Sequence, residues 1–235
     1  MSQIGQLIKE IQQLKNPKKA KILARFFKTG KGEYGEGDIF LGITVPQQRQ
    51  IAKKDSDLER EKLQKLLNSK IHEYRLTALL ILIIQYQKAN EKKKEKIFKF
   101  YLSNTKNINN WDLVDLSAPN IVGDYLLNED RKILYQLAKS KNLWERRIAI
   151  MTTYTFIKNN DFNDTFKIAE ILLQDKHDLI HKAVGWMLRE VGKKDQKVEE
   201  QFLRKHYRQM PRTMLRYAIE RFSEGKREFY LGNKI

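Results

Sequence analysis

The stretch His72-Glu-Tyr-Arg-Leu-Thr-Ala78 has three relatives further along the chain. In each relative, basic residues precede a small alanine and apolar residues follow, as in Trp144-Glu-Arg-Arg-Ile-Ala149, Asp178-Leu-Ile-His-Lys-Ala183 and Arg212-Thr-Met-Leu-Arg-Tyr-Ala218. Successive alanines of the four stretches lie 71, 34 and 35 residues apart. Because the first gap is close to two periods, a further unit is expected near residue 113, where the chain reads Trp111-Asp-Leu-Val-Asp115.

A repeat of about 35 residues is typical of helix pairs that stack into a solenoid. One pair cannot bury its apolar face alone, so neighbouring pairs share a continuous core. The sequence therefore predicts an all-α helical-repeat solenoid that forms a single domain over residues 1–235. Arginines and lysines at equivalent repeat positions predict a basic stripe on the inner, concave face. The alternative is that the alanines mark close helix packing and the basic side chains are merely solvated.

The first part of the chain carries the same helical signal, with one interruption. Apolar residues from Ile4 to Leu14 recur at helical spacing, and Pro17 is expected to end that first helix. A second helix is predicted over residues 18–28. The segment Thr29–Asp38 then holds four of the 11 glycines, which predicts a flexible loop or a small hairpin. Helix resumes at Pro46, a residue suited to a first helical turn.

The composition points to a polyanionic partner. Lys and Arg total 46 against 29 Asp and Glu, which gives a net charge of +17 and a pI near 9.8. Such an excess favours nucleic acid first and an anionic membrane surface second, although a basic but ordinary enzyme is the alternative. The absence of cysteine fits a reducing compartment, and we expect a cytoplasmic protein of the bacterial cytosol or nucleoid. The longest apolar stretch, Leu76 to Ile84, is too short to span a bilayer.

The sequence holds few features typical of metal or cofactor sites. Of the four histidines, His177 and His181 alone have the i, i+4 spacing of helical ligands, with no glutamate between them and no evident third ligand. Phosphate-binding P-loops, nucleophile elbows and dinucleotide fingerprints are missing. We therefore expect neither metal nor cofactor. The glycine-rich segment could cradle a phosphate through its amides, but it lacks the strand-to-helix context of such loops.

The segment around Asp115 carries the candidate chemistry. Asn110 is placed to cap a helix, with Asp112 near the positive helix end. Trp111 and Asp115 are four residues apart and so share one helix face. A carboxylate on a basic face repels a phosphate backbone, so Asp115 needs another reason to be there. Either it takes part in chemistry, or it pairs with a nearby arginine such as Arg147.

Four segments together resemble the DNA alkylation repair family, the HEAT-like-repeat DNA glycosylases of the AlkD type. The resemblance spans roughly residues 20 to 222, and its motifs occur in order and at the right separation. The segments are Phe40-Leu-Gly-Ile-Thr-Val-Pro46 with Arg49 after it, Trp111-Asp-Leu-Val-Asp115, Leu143-Trp-Glu-Arg-Arg-Ile-Ala-Ile150 and Lys182-Ala-Val-Gly-Trp-Met-Leu-Arg-Glu190.

The resemblance implies a concave array of HEAT-like repeats that holds duplex DNA. We expect the protein to be a monomer. The resemblance also implies release of cationic alkylpurines such as 3-methyladenine and 7-methylguanine without turning the damaged base into a pocket. It places the catalytic aspartate at Asp115 and the two cleft tryptophans at Trp111 and Trp186. The phosphate-contacting arginine corresponds to Arg147 and a further DNA contact to Arg189. Around these we expect further DNA contacts from Arg146, Lys182, Arg49, Lys31 and Tyr34.

The residue types suit that chemistry. Loss of a cationic base leaves positive charge on the sugar, which a carboxylate at Asp115 would stabilise while it orients a water. Indole faces at Trp111 and Trp186 would favour a cationic nucleotide by about 0.5–2 kcal/mol. Without the resemblance, the helical spacing predicts that Trp186 is a core residue, because aromatic residues at such spacing are usually buried.

The glycine-rich segment departs from the family pattern and supports a second hypothesis. It is longer and richer in glycine than in the best-known active members, and it falls where they carry a DNA-facing tyrosine, for which Tyr34 is the counterpart. Similar loops recur in relatives that resemble non-cleaving binders of branched DNA. A hairpin bearing Lys31 and Tyr34 would then enter a groove or a junction. A third hypothesis, a helical scaffold for proteins, is disfavoured by the charge.

Overall fold

The computed structural model describes Ser2–Gly232, and this part of the chain is helical. Strand-like pairing within it is limited to an isolated parallel bridge between Ile39 and Ile71. Single turns of 3-10 helix occupy Thr105–Asn107 and Ile219–Arg221. The α-helices of the described residues are α1 Gln3–Gln13, α2 Pro17–Phe26, α3 Val45–Lys54, α4 Arg60–Leu67, α5 His72–Gln87, α6 Glu91–Ser103, α7 Trp111–Ala118, α8 Lys132–Ala138, α9 Leu143–Lys158, α10 Asn163–Leu172, α11 Asp178–Lys194, α12 Gln196–His206, α13 Arg212–Ala218 and α14 Glu224–Gly232.

The repeat predicted from the sequence coincides with the helices. Each of the four repeat stretches lies at the start of a helix, namely α5, α9, α11 and α13, and the expected extra unit is α7. The four repeat alanines are at most 1% exposed. Their small side chains let neighbouring helices approach closely, and those helices cover them. The all-α, HEAT-like helical-repeat fold class is therefore confirmed. Gly185 shows how close that approach is, since a Cβ there would lie 2.4 Å from the carbonyl oxygen of Met214.

The contacts between Cα atoms divide the chain into two compact units, with the division after Leu113. In the first unit α5 is the central helix, and α3, α4 and α6 pack on it. The apolar stretch that the sequence places at Leu76 to Ile84 forms the middle of this helix. No helix within residues 2–232 has both the length and the apolar content needed to cross a membrane. The single domain expected over residues 1–235 stays a prediction.

The second unit is built around α9 and α11, which pack on each other. Helices α8 and α10 lie against α9, and α12 and α13 lie against α11. After α7 the chain makes one turn of π-helix at Pro119–Gly123. Pro119 has no N–H and so cannot donate a helical hydrogen bond to the preceding turn. Its carbonyl oxygen accepts a hydrogen bond from the hydroxyl of Thr155 at 2.6 Å.

Local capping explains where the first helices begin. The α1 helix ends at Gln13, and Pro17 opens α2 rather than closing α1, with the side chain of Asn16 accepting the N–H of Lys19. The predicted second helix over residues 18–28 is observed as Pro17–Phe26. Thr44 and Gln47 form a capping box at the start of α3, which includes Pro46 in its first turn, as predicted.

The glycine-rich segment is a succession of tight turns, and no hairpin forms in it. Gly32 and Gly37 have φ angles of 77° and 86°, the left-handed region that glycine adopts without strain. Their surroundings are open, whereas a Cβ on Gly35 would lie 2.4 Å from the carbonyl oxygen of Phe27. The small-hairpin alternative is therefore wrong, because the glycines turn the chain repeatedly and leave no residues to pair as strands.

Candidate functional site

Asp115 and Arg147 form a bidentate ion pair in the second unit. Arg147 donates from Nε to Oδ1 of Asp115 at 2.8 Å and from Nη2 to Oδ2 at 2.7 Å. Its Nη1 donates to the carbonyl oxygen of Leu179 at 2.5 Å, at the start of α11. The side chains are 13% and 5% exposed, respectively. The pairing that the sequence left open is therefore present, and it fixes the plane of the Asp115 carboxylate on α7 against α9.

Trp186 lies on α11, two turns after Leu179, and is partly exposed. Its indole Nε1 donates to Oε1 of Glu190 at 2.9 Å, and its ring centroid lies 6.4 Å from that of Tyr154. The next two residues, Met187 and Leu188, are fully buried, so they and not Trp186 face the core at this point of α11. The core interpretation of Trp186 is therefore wrong, and one face of the helix presents an indole toward solvent.

The other predicted cations of the second unit are held by carboxylates. Arg146 donates from Nε to Asp175 at 2.6 Å and from Nη1 to two backbone carbonyls. Arg189 pairs with Glu220, and Lys182 pairs with Asp178 at 2.7 Å. In the first unit the equivalent repeat arginine, Arg75, is buried against Asp38. The repeat positions thus carry ion pairs, and the basic stripe on a concave face stays a prediction.

Trp111 stands at the start of α7, among aromatic residues of the first unit. Its ring stacks on Phe27 with centroids 5.1 Å apart and planes 12° apart. Phe26 meets it edge-on at 6.0 Å and is 62% exposed. Neither phenylalanine was predicted from the sequence to belong to the site. The available signal was the pair of aromatic residues at the end of the strongly amphipathic α2 helix, but nothing in the sequence shows that they reach Trp111.

A buried ionic network joins the glycine-rich segment to the start of α7. His72 lies between two carboxylates, with Nδ1 3.1 Å from Asp38 and Nε2 2.8 Å from Asp112. Asp38 also accepts a hydrogen bond from Arg75 at 2.7 Å. Carboxylates accept hydrogen bonds, so both ring nitrogens of His72 donate and the ring is an imidazolium. Asp38, Asp112 and His72 come from three distant segments, and for that reason the network was not predicted from the sequence.

The network shifts the pKa values of its members in opposite directions. Burial by itself would lower the pKa of His72, but the charge and hydrogen bond of Asp112, with the hydrogen bond of Asp38, raise the pKa above 6.5. Burial by itself would raise the pKa of Asp38, but His72, Arg75 and the amide of Asn110 lower it below 3.8. Both shifts therefore favour the charged forms, the carboxylate of Asp38 and the imidazolium of His72, in the folded protein.

Stability is expected to fall as the pH rises through the raised pKa of His72. Above pH 6.5 the unfolded chain loses this proton while the folded chain keeps it, so the unfolding free energy decreases by up to about 1.4 kcal/mol per pH unit. The contribution of Asp38 is present above its ordinary pKa and is lost as the pH falls through the lowered one. Thermal melts from pH 5 to 8.5 measure the slope.

The matched comparison for this prediction is His72→Gln against His206→Gln, which changes a partly exposed histidine outside the network. The first variant should be less stable and should lose the downward slope, whereas the second should keep it. An unchanged slope in His72→Gln would show that another group titrates.

The other DNA contacts predicted for the first unit lie outside α2 and α7, the helices that carry Phe26 and Trp111. Arg49 is exposed on α3, Lys31 is exposed in the glycine-rich segment, and Tyr34 is partly exposed there. The amides of that segment are occupied by its own acids, since Gly30 donates to Glu33 and Gly32 donates to Glu36, each at 2.8 Å. These carboxylates fill the positions that a phosphate would need.

No group of three or more acidic or histidine side chains in Ser2–Gly232 is arranged to hold a metal ion. The second unit instead offers an oriented carboxylate at Asp115 and an indole surface at Trp186, and the first unit offers an indole surface at Trp111. A fixed carboxylate can stabilise a developing cation, and an indole face can bind one.

Comparisons with known proteins agree with this description. A family model described as DNA alkylation repair enzyme matches residues 7–222. A solved structure of a predicted DNA alkylation repair enzyme from Enterococcus faecalis is 18% identical, with a TM-score of 0.70 over 89% of this chain and 97% of that one. AlkD2 from Streptococcus mutans is 20% identical, with a TM-score of 0.57 over 87% of this chain and 98% of that one. No curated protein matches. The match to the family model over nearly the whole chain shows that this protein belongs to the DNA alkylation repair enzyme family.

Proposed function

We propose that the protein is a DNA glycosylase that releases cationic alkylated purines, such as 3-methyladenine and 7-methylguanine, from duplex DNA. The observation that carries the proposal is the Asp115 carboxylate, which is held in one orientation by Arg147 and is still reached by solvent. The carboxylate thus combines a fixed orientation with access from solvent, which a group that acts on a DNA sugar requires.

The proposed reaction needs little from the protein beyond charge placement. The bond between C1′ and the base nitrogen breaks, and its electron pair leaves with the alkylated purine, which becomes neutral. The sugar then carries the positive charge of an oxocarbenium ion, and Asp115 stabilises that charge. Water adds to C1′ and gives up a proton, for which Asp115 is the nearby acceptor. Arg147 acts as a positioning residue, because its two hydrogen bonds orient the carboxylate.

The tryptophans are proposed to favour the charged substrate. Trp186 presents a partly exposed indole whose N–H is taken by Glu190, so its orientation is defined. In the first unit, Trp111 is held in place by the stacked ring of Phe27. An indole face attracts a cation by about 0.5–2 kcal/mol, and a normal neutral purine gains no such attraction. Discrimination between alkylated and normal purines would follow from this difference.

The test is the release of free bases. Methylated duplex DNA is incubated with the protein, and the supernatant is analysed by chromatography for 3-methyladenine and 7-methylguanine. We expect both bases to appear at a rate above spontaneous depurination, with unmethylated DNA as the control. If no base is released while the same preparation binds the duplex, the proposed reaction is wrong.

DNA affinity is expected to fall steeply with salt, because binding of phosphates releases counterions. Arg49→Gln and Lys31→Gln each remove an exposed cation. If each residue contacts a phosphate, each change should make the negative slope of log K for DNA binding against log salt less steep by about 0.9, whatever the DNA sequence. Fluorescence anisotropy titrations between low and physiological salt measure this slope. Lys132→Gln, which alters a lysine with an 86% exposed side chain in the second unit, serves as the comparison. Equal slopes in all the proteins would remove Arg49 and Lys31 from the DNA interface.

The second function considered, a non-cleaving binder of branched DNA, loses support at the glycine-rich segment. Residues 29–38 contain Lys31 as their one basic residue against three acids. Asp38 is buried in the ionic network, which anchors the end of the segment. A segment with a net negative charge is a poor element for entering a phosphate-lined junction.

A further inference from the structure

A cavity of about 310 Å³ lies beside α2 in the first unit. The residues of α2 that line it are Lys19, Ile22, Leu23 and Phe26, whose spacing puts them on one face of the helix. Ile22 and Phe26 are 67% and 62% exposed, and no residue of α2 is buried. Large apolar side chains that are exposed at the mouth of a cavity are typical of a binding surface.

The two acids in the lining of this cavity already have partners. The carboxylate of Glu73 is buried and accepts the N–H of Leu41 at 2.9 Å and that of Gly42 at 2.8 Å. The carboxylate of Asp112 lies 2.8 Å from His72. Most of the remaining lining is apolar, and a buried charge without a partner is unfavourable. The interior therefore suits an uncharged, apolar group.

The aromatic wall gives no free ring face on which a flat heterocycle could stack. Phe27 stacks on Phe40 and on Trp111, with centroids 4.9 and 5.1 Å apart. Phe40 in turn stacks on the imidazole of His72 at 4.5 Å. An aliphatic or phenyl side chain needs no such face, because its gain on burial depends on the apolar area removed from water. The cavity therefore fits an apolar side chain better than a nucleobase.

The outer surface of α2 is cationic. Lys18, Lys19, Lys21 and Arg25 are all exposed, and the helix contains no acid. Unlike the paired arginines of the second unit, none of these four side chains forms an ion pair within residues 2–232. From Lys18 to Arg25 the helix rises about 10 Å, the length of roughly three residues of extended chain. Acidic groups that meet these cations would therefore lie close together in a partner's sequence.

We propose that the α2 surface, which comprises these four cations with Ile22 and Phe26, binds a short acidic segment of a partner protein. One large apolar side chain of the segment enters the cavity past Ile22 and Phe26, and neighbouring aspartates or glutamates lie against the cations. A phosphate backbone would meet the same cations but has no apolar group to fill the cavity. For this reason an acidic peptide suits the surface better than DNA. The inference is independent of the reaction proposed at Asp115.

Selection from a phage library of random dodecapeptides tests the inference, with the full-length protein as the target at physiological salt. We expect enriched peptides in which Phe, Leu or Ile lies within about four residues of two or more acids. In a synthetic copy of an enriched peptide, alanine in place of the apolar residue should weaken binding by about 10- to 150-fold, the range for burial of one large apolar side chain. Fluorescence anisotropy measures the affinity. Enrichment of no such peptide would overturn the inference.

Matched variants locate the bound peptide. Ile22→Ala/Phe26→Ala should weaken the enriched peptide by a similar factor. Ile39→Ala/Phe229→Ala removes two apolar side chains that are 51% and 54% exposed and do not line the cavity, and it should keep the affinity. Melting curves check that all variants fold. Binding that survives in the first variant places the peptide elsewhere and overturns the inference.

The charge contribution needs its own comparison, because a chain with a net charge of +17 attracts acidic peptides non-specifically. Lys21→Gln/Arg25→Gln removes two cations four residues apart on α2, and Lys92→Gln/Lys96→Gln removes two exposed cations at the same spacing on α6. The first variant should bind the peptide about 2- to 30-fold more weakly, as expected for two exposed ion pairs, and the second should bind it normally. Equal losses would show non-specific attraction and overturn the inference.

Two further arms separate other occupants and the two proposals. Duplex DNA or phosphatidylglycerol vesicles whose binding depends on Ile22 and Phe26, with no enriched peptide, would overturn the inference in favour of a nucleic-acid or membrane surface. Asp115→Asn should bind the enriched peptide as the unchanged protein does. The peptide inference and the glycosylase proposal can therefore fail separately.

Discussion

Replacing Asp115 with asparagine is expected to slow the release of alkylated purines by about 100- to 1,000-fold, the usual effect of removing one preorganised electrostatic group from an active site. Asparagine has nearly the same shape, so it can still accept the hydrogen bond from Nε of Arg147. It cannot supply the negative charge that stabilises the oxocarbenium ion, nor accept the proton of the attacking water. Single-turnover release of 7-methylguanine from methylated duplex DNA measures the effect.

The control for this variant must separate chemistry from folding, because Arg147 loses a charged partner. DNA affinity and melting temperature are therefore measured on the same preparation. A variant that binds the duplex normally and releases no base above background supports the role of Asp115. Release at the wild-type rate would show that another group stabilises the sugar cation. Glu145→Gln, which neutralises a carboxylate on α9 outside the pair, should leave release unchanged.

Replacing Arg147 with alanine is expected to destabilise the protein by about 3–5 kcal/mol, which is typical when one partner of a buried ion pair is removed. Arg147 is 5% exposed and donates to Asp115 and to Leu179, so three hydrogen bonds are lost and a carboxylate remains without its cation. The result is a large drop in the midpoint of urea unfolding. Base release should also fall, because the carboxylate is no longer oriented.

A double-variant cycle tests the physical reason. If the penalty comes from the charge left behind, Asp115→Asn/Arg147→Ala should be less destabilised than the sum of the two single variants. Arg204→Ala is the matched surface control, since that arginine is 75% exposed and lies 4.0 Å from Glu200, and it should change stability by at most about 0.5 kcal/mol. Additive effects at Asp115 and Arg147 would show that the pair does not couple.

The helical-repeat fold and the position of Asp115 were accessible from the sequence by itself, because both follow from local patterns. The spacing of Ala78, Ala149, Ala183 and Ala218 reflects a packing requirement that recurs at each helix pair, and every one of these alanines is buried at the place predicted. The helix containing Asp115 was predictable for the same reason, as was its possible pairing with Arg147.

Only the tertiary structure decided which partners the polar and aromatic side chains meet. His72 looked like one member of a repeat, yet it links Asp38 to Asp112 across segments far apart in the chain. Phe26 and Phe27 fall within the second helix predicted over residues 18–28, yet in the structure both of them contact Trp111. Helical periodicity fixes which face a residue occupies, but an ion pair or a ring contact also depends on which distant helix packs opposite. That choice is made by the long-range packing of the whole core.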